Sequence, residues 1–130
     1  ATSFTLFSAT TWPLQTADID LGNEVVYREL VNSEKEVLIV DRNATANFVV
    51  EAPTLATKDF FALAVAGTSG NLSIVHGTTA GNIITLTSPT NGLSLGNPTY
   101  SEDTGIVMLN IPTTMVPSTS GNDEISIAYT

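Results

Sequence analysis

Short runs of alternating or β-branched residues recur along the whole chain, at positions 3–7, 24–30, 36–40, 46–50, 60–65, 72–75, 83–87, 105–111 and 124–129. Each has the length of a strand, and the segments between them carry turn chemistry: Leu21-Gly22-Asn23, Asp41-Arg42-Asn43, Gly67 to Gly70, Gly77 to Gly81, Asn91-Gly92, Gly96-Asn97-Pro98 and Ser118 to Asn122. Gly, Asn and Asp accept positive φ or close Asx turns, so they end one strand and start the next. Strand following strand at short intervals, with no sustained period of 3.6, predicts an all-β fold: an antiparallel β-sandwich or small β-barrel of about nine short strands, with little or no helix. The one helix candidate spans residues 54–63, where Thr54 or Thr57 would cap a turn. The apolar run Phe60, Phe61, Leu63, Val65 reads better as a strand ended by Gly67.

The run at 105–111 is expected to supply core side chains from a central strand. Either Ile106, Met108 and Ile111 or the opposite register, Val107 and Leu109, faces the core, because alternation puts only one set on a given side.

At 130 residues the chain is expected to form one domain, residues 1–130. Its hydrophobic fraction is 42% but only 13% of residues are charged, so solubility rests on Thr, Ser, Asn and Gly. A polar, weakly charged surface loses little when another protein covers it, which favours assembly. The formal net charge is −9, and the only bases are Arg28, Lys35, Arg42 and Lys58. Such a surface repels phosphate, so sequence-specific nucleic-acid binding is set aside. From Phe60 to Ser101 there is no formal charge at all. Strand edges in that stretch lack the usual charged protection and are the expected contact surface between identical subunits.

Candidate chemistry is sparse. There is no cysteine, hence no disulfide and no thiolate-bound metal. The start, Ala1-Thr2-Ser3-Phe4, lacks a basic segment followed by an apolar run and reads as a mature end made in the cytoplasm. No run of about 18 apolar residues marks a membrane helix. The sole histidine, His76, has no nucleophile motif beside it and is read as a strand-end residue. Asp18, Asp20 and Glu24 form an acidic cluster that lacks EF-hand spacing and reads as a solvated loop. The pairs Glu102-Asp103 and Asp123-Glu124 hold adjacent residues, which point to opposite faces of a strand and do not converge on one substrate. Gly67-Thr68-Ser69-Gly70 lacks the Lys and helix of a phosphate loop. Asn43-Ala44-Thr45 and Asn71-Leu72-Ser73 match the glycosylation pattern and are read as chance matches. Trp12, Phe4, Phe7 and Tyr27 are assigned to core or interface packing, with a carbohydrate-stacking surface as the alternative. No catalytic residue, cofactor or metal is assigned, and no enzymatic activity is expected.

One longer stretch carries more. The last 54 residues, from Gly77, read GTTAGNIITLTSPTNGLSLGNPTYSEDTGIVMLNIPTTMVPSTSGNDEISIAYT. Ala80-Gly81-Asn82 leads into a strand ending near Pro89. Leu93 to Leu95 form a short apolar segment, and Tyr100 and Glu102-Asp103 precede the strand at 105–111. Pro117 and Gly121-Asn122-Asp123-Glu124 precede the last strand. This pattern resembles the C-terminal part of tail-tube and related virion proteins of tailed bacteriophages. The resemblance implies a structural protein of the virion that self-assembles as a homo-oligomer and contacts other virion proteins, such as major capsid or tail proteins. A tail-tube-like subunit is the first reading; a capsid cement or decoration protein is the close alternative, and a carbohydrate-binding sandwich the third.

Overall fold

The computed structural model describes residues 2–9, 12–32 and 34–130. Twelve strands and one helix follow in the order β1 Thr2–Leu6, β2 Leu14–Asp20, β3 Asn23–Leu30, β4 Glu34–Arg42, β5 Thr45–Glu51, α1 Phe60–Ala66, β6 Ser69–Gly70, β7 Leu72–His76, β8 Ile84–Thr87, β9 Leu93–Leu95, β10 Thr99–Asp103, β11 Ile106–Met115 and β12 Ser126–Tyr129. The fold is all-β and its strand pairs are antiparallel. A four-stranded sheet runs β1-β7-β8-β12, and a six-stranded sheet runs β2-β5-β11-β9-β6 with β10 also on β11. Among the described residues the hairpin β3-β4 pairs only with itself.

The two sheets face each other across one apolar core. Strict alternation in β5 sends Ala46, Phe48 and Val50 inward, and β11 opposes them with Leu109, Ile111 and Met115. From the other sheet come Phe4, Leu6 and Leu72, with the Phe4 and Phe48 rings 5.6 Å apart. Of the two registers expected for residues 106–111, the core takes Leu109 and Ile111. Ile106 and Val107 are exposed, and Met108 is buried on the opposite side of the strand. The strand also continues through Pro112. The Pro112 carbonyl accepts from Gly96 at 2.8 Å, so the missing N–H would have faced the Gly96–Pro98 link between β9 and β10, where no ladder partner lies. Thr113 is buried, and its hydroxyl donates to the Ala46 carbonyl at 2.9 Å.

Residues 60–66 are helical, which corrects the strand reading of that segment. Asp59 is the N-cap, accepting from the Ala62 amide at 2.9 Å. At the other end Gly67 takes φ 64, and the Gly67 and Thr68 amides return to the Ala64 and Leu63 carbonyls. Three alanines favour the helix; a seven-residue apolar run has no periodicity long enough to separate the two states. The helix plugs one end of the sandwich: Phe60 is buried, with its ring 6.2 Å from Phe7 and 5.8 Å from Trp12. Gly70 is required there, since a Cβ would stand 2.2 Å from the Phe7 ring. Among the described residues no helix is long and apolar enough to cross a membrane.

Candidate functional site

Residues considered for chemistry in the sequence are dispersed. Asp18 and Asp20 lie in β2, not in a loop, on the face of the six-stranded sheet away from the core, beside an open groove of about 370 Å³. Asp20 accepts from the Gly22 amide at 2.9 Å. Glu24 has gone into the hairpin opposite Asp41. His76 ends β7, its Nδ1 2.6 Å from the Thr2 hydroxyl. Glu102 and Asp103 end β10 on opposite faces, with Asp103 accepting from the Gln15 amide. Asp123 and Glu124 are used separately. Two hydrogen bonds from Ser118, hydroxyl and amide, hold the Asp123 carboxyl below its ordinary range, while Glu124 is buried and accepts from Arg42. No group of three or more His, Asp or Glu converges among the described residues. Trp12 turns toward Phe60 rather than lining an open surface with the tyrosines.

The distinctive features are surfaces. The hairpin β3-β4 is exposed along most of its described length, with Glu36, Leu38 and Arg42 half-buried, and eight residues reach about 27 Å when extended. Opposed residues share a face in an antiparallel pair. One face therefore carries Val25, Ile39, Tyr27 and Val37, and the other Val26 and Leu38 followed by the Arg28–Glu36 ion pair. A second pair, Glu29–Lys35 at 2.6 Å, lies nearer the tip. Exposed ion pairs of this kind stabilise by under about 1 kcal/mol. A ribbon apolar on both faces has the composition of a strand covered on both sides, yet among the described residues no other strand pairs with it.

The four-stranded sheet has a second such surface. Its registers align rows across all four strands. The row Phe4, Ile74, Leu86, Ile127 faces the core side, and burial fades along it from 8% exposure at Phe4 to 53% at Ile127. Tyr129, on the same side of β12, is 75% exposed. The sheet thus overhangs the core at β12. On the opposite side the rows Ser3, Val75, Thr85, Ala128 and Thr5, Ser73, Thr87, Ser126 form a face of small, uncharged and mostly hydroxylated side chains.

Both edge strands of this sheet carry unpaired backbone groups. Thr130 and Ile83 exchange both hydrogen bonds at 2.9 Å, so by the two-residue alternation Ile127 and Tyr129 turn their N–H and C=O away from β8. At the other edge Phe7 donates to Asn71, and Leu6 bonds outward to Ala9, which leaves Thr2 and Phe4 facing outward. Neither edge bears a charge.

Two solved structures share this arrangement of elements. The cap that terminates the tube of the anti-feeding prophage, determined by cryo-EM, superposes with a TM-score of 0.68 at 10% identity over 99% of this chain and 88% of that one. The tail of the empty GTA particle, of C6 symmetry, superposes with a TM-score of 0.58 at 15% identity over 94% of this chain and 85% of that one. The likeness at these identities is one of fold. No protein-family model matches the chain, and no curated protein matches it in sequence.

The exposed apolar surface lies mainly outside the charge-free stretch in which the contact was expected. Eight large exposed apolar side chains lie between Val25 and Val40, and two more on β12, whereas the charge-free stretch from Phe60 to Ser101 contributes Val65 and Tyr100. That stretch holds turns, the short helix and strands that are half-buried or exposed over most of their length. The uncovered surface was signalled instead by the unbroken apolar runs Val25-Val26-Tyr27 and Val37 to Val40.

Proposed function

We propose that this chain is a non-enzymatic structural subunit of a tailed-phage-like particle, closing with copies of itself into a ring in line with the tail tube. The observation that carries this reading is the four-stranded sheet with two uncharged open edges. Its strands alternate in direction, so β1 and β12 run opposite ways. Laid against β1 of the next copy, β12 continues the same antiparallel ladder. A contact between two different edges of one subunit is heterologous and closes into a ring when the rotation permits. The overhanging Ile127 and Tyr129 then gain a neighbour. In a ring of this kind the Ser/Thr face turns toward the axis. There it offers passing cargo neither charge nor an apolar patch.

Exposed area supports the reading. A compact monomer of 13.7 kDa has an accessible surface of about 6,600 Å²; this chain has 7975 Å². The surplus, on the order of 1,400 Å², is close to what one subunit of a ring contributes to two standard interfaces, roughly 800 Å² each. The hairpin supplies an arm that reaches past the body of one subunit to the next.

Sedimentation across a NaCl series tests this reading. Copies with a formal net charge of −9 repel, and the proposed contacts are backbone ladders and apolar faces. Rising salt is therefore expected to leave the oligomer unchanged or strengthen it. An oligomer that dissociates steadily as salt rises would instead be held by ion pairs, against the proposed contacts.

A further inference from the structure

The arm is joined to the body by little more than its root. Its own ion pairs, Arg28–Glu36 and Glu29–Lys35, are internal, and the Asn43 amide returns to the Gly22 carbonyl at 3.2 Å where the chain leaves the hairpin. Among the described residues one side-chain polar contact links the arm to the body. Arg42, the last residue of β4, donates from Nε to Oδ1 of Asn23, the first residue of β3, at 2.8 Å, and from Nη1 to Oε2 of Glu124 at 3.2 Å. One guanidinium thus clamps both strands of the root and fastens them to a glutamate whose side chain is only 11% exposed.

The segment that presents Glu124 is held by its own hydrogen bonds. Asp123 accepts from the Ser118 amide at 2.7 Å and from its hydroxyl, and the Gly121 amide closes onto the Ser118 carbonyl at 3.1 Å. Directly after Glu124 come Ile125, packed on the core, and then β12 with its open edge. Beside the latch an open cleft of about 470 Å³, lined by Ile39, Val40, Asp41, Arg42 and Asn122, leaves the arm room to swing.

We propose that Arg42 and Glu124 form a positioning latch that fixes the angle of the arm and couples it to the β12 edge. The coupling rests on the ring reading above; the latch itself does not. A buried carboxylate that loses its partner is strongly unfavourable, so Glu124 and Arg42 move together. A displacement of Glu124 when β12 pairs with a neighbour is therefore passed to the root and enlarged along an arm of about 27 Å. A rotation of some 10° at the root would move the tip by about 5 Å over that length. Edge pairing around the ring and docking of the arm then become one cooperative event.

The chain has no cysteine, so two introduced ones give unique labels. Spin labels at Val31→Cys near the tip and Val65→Cys on α1, both 91% exposed, report the arm's angle by dipolar distance in dilute monomer. A narrow distribution is expected in the otherwise native chain, a broad one in Arg42→Gln and Glu124→Gln, and partial narrowing again in Arg42→Lys. The melting temperature checks that each variant is folded. Equal widths in native and Arg42→Gln protein would overturn the latch, whatever the chain assembles into. The coupling is read separately: Glu124→Gln is expected to raise the concentration for half-assembly at least tenfold, and unchanged assembly with a broadened arm would overturn it. A native chain that never assembles counts against the ring, while the distance widths still decide the latch.

Discussion

Leu109→Asp is expected to leave no folded protein. Leu109 lies in β11, paired with Val50 of β5 on one side and Tyr100 of β10 on the other, and is 2% exposed. Truncating such a leucine to alanine costs about 2–5 kcal/mol. A carboxylate in its place adds a desolvation penalty of several kcal/mol with no base nearby to offset it. Domains of this size are stable by roughly 5–15 kcal/mol, so the sum consumes the margin. Circular dichroism and the one-dimensional proton spectrum would measure it: loss of the β signal and of amide dispersion is expected. Val107→Asp is the control. Val107 is 55% exposed on the same strand, and its variant is expected to fold. A folded, cooperatively melting Leu109→Asp protein would mean that the core is not where the two sheets meet.

Ile127→Pro is expected to abolish assembly while leaving the subunit folded. The Ile127 amide faces the open edge and takes no part in the ladder with β8, so proline removes a donor that only a neighbouring copy would use. Proline at an edge is also a known means of blocking strand addition. Sedimentation would report a monomer at concentrations where the native chain is oligomeric, with a melting curve within a few degrees of the native monomer. The same substitution at Leu86, on the central strand β8, has a different expected outcome. There the lost N–H faces β7, inside the sheet, so proline removes a ladder donor between two paired strands and unfolds the sheet.

Much of the architecture was legible because burial on one face of a strand leaves a period of two. β5 alternates without a fault, and the predicted runs at 46–50, 72–75 and 83–87 fall within a residue of β5, β7 and β8 at each end. β2 escaped for a physical reason. A register shift between Leu14 and Thr16 puts Leu14, Ala17 and Ile19 on the core side at unequal spacing, so the strand has no period to read. β6 and β9 are two and three residues long, too short for a pattern, and β10 is exposed at all five positions, so it has no buried face to alternate. The helix was misread because its caps, Asp59 and Gly67, carry more information than its apolar residues do. The arm shows the converse. Its unbroken apolar runs have the pattern of strands covered on both faces, and the subunit leaves most of those side chains exposed. Glu124 and Arg42, 82 residues apart, meet only through the fold, and neither flanking sequence announces the contact.

The central claim, that the chain closes into rings by continuing its four-stranded sheet from copy to copy, is tested most directly by electron microscopy of the purified native chain, with Ile127→Pro imaged beside it. Closed rings with an axial opening, present in the native protein and missing from the variant, are the expected result. Two-fold dimers, isolated monomers at high concentration, or rings that persist in Ile127→Pro would contradict it.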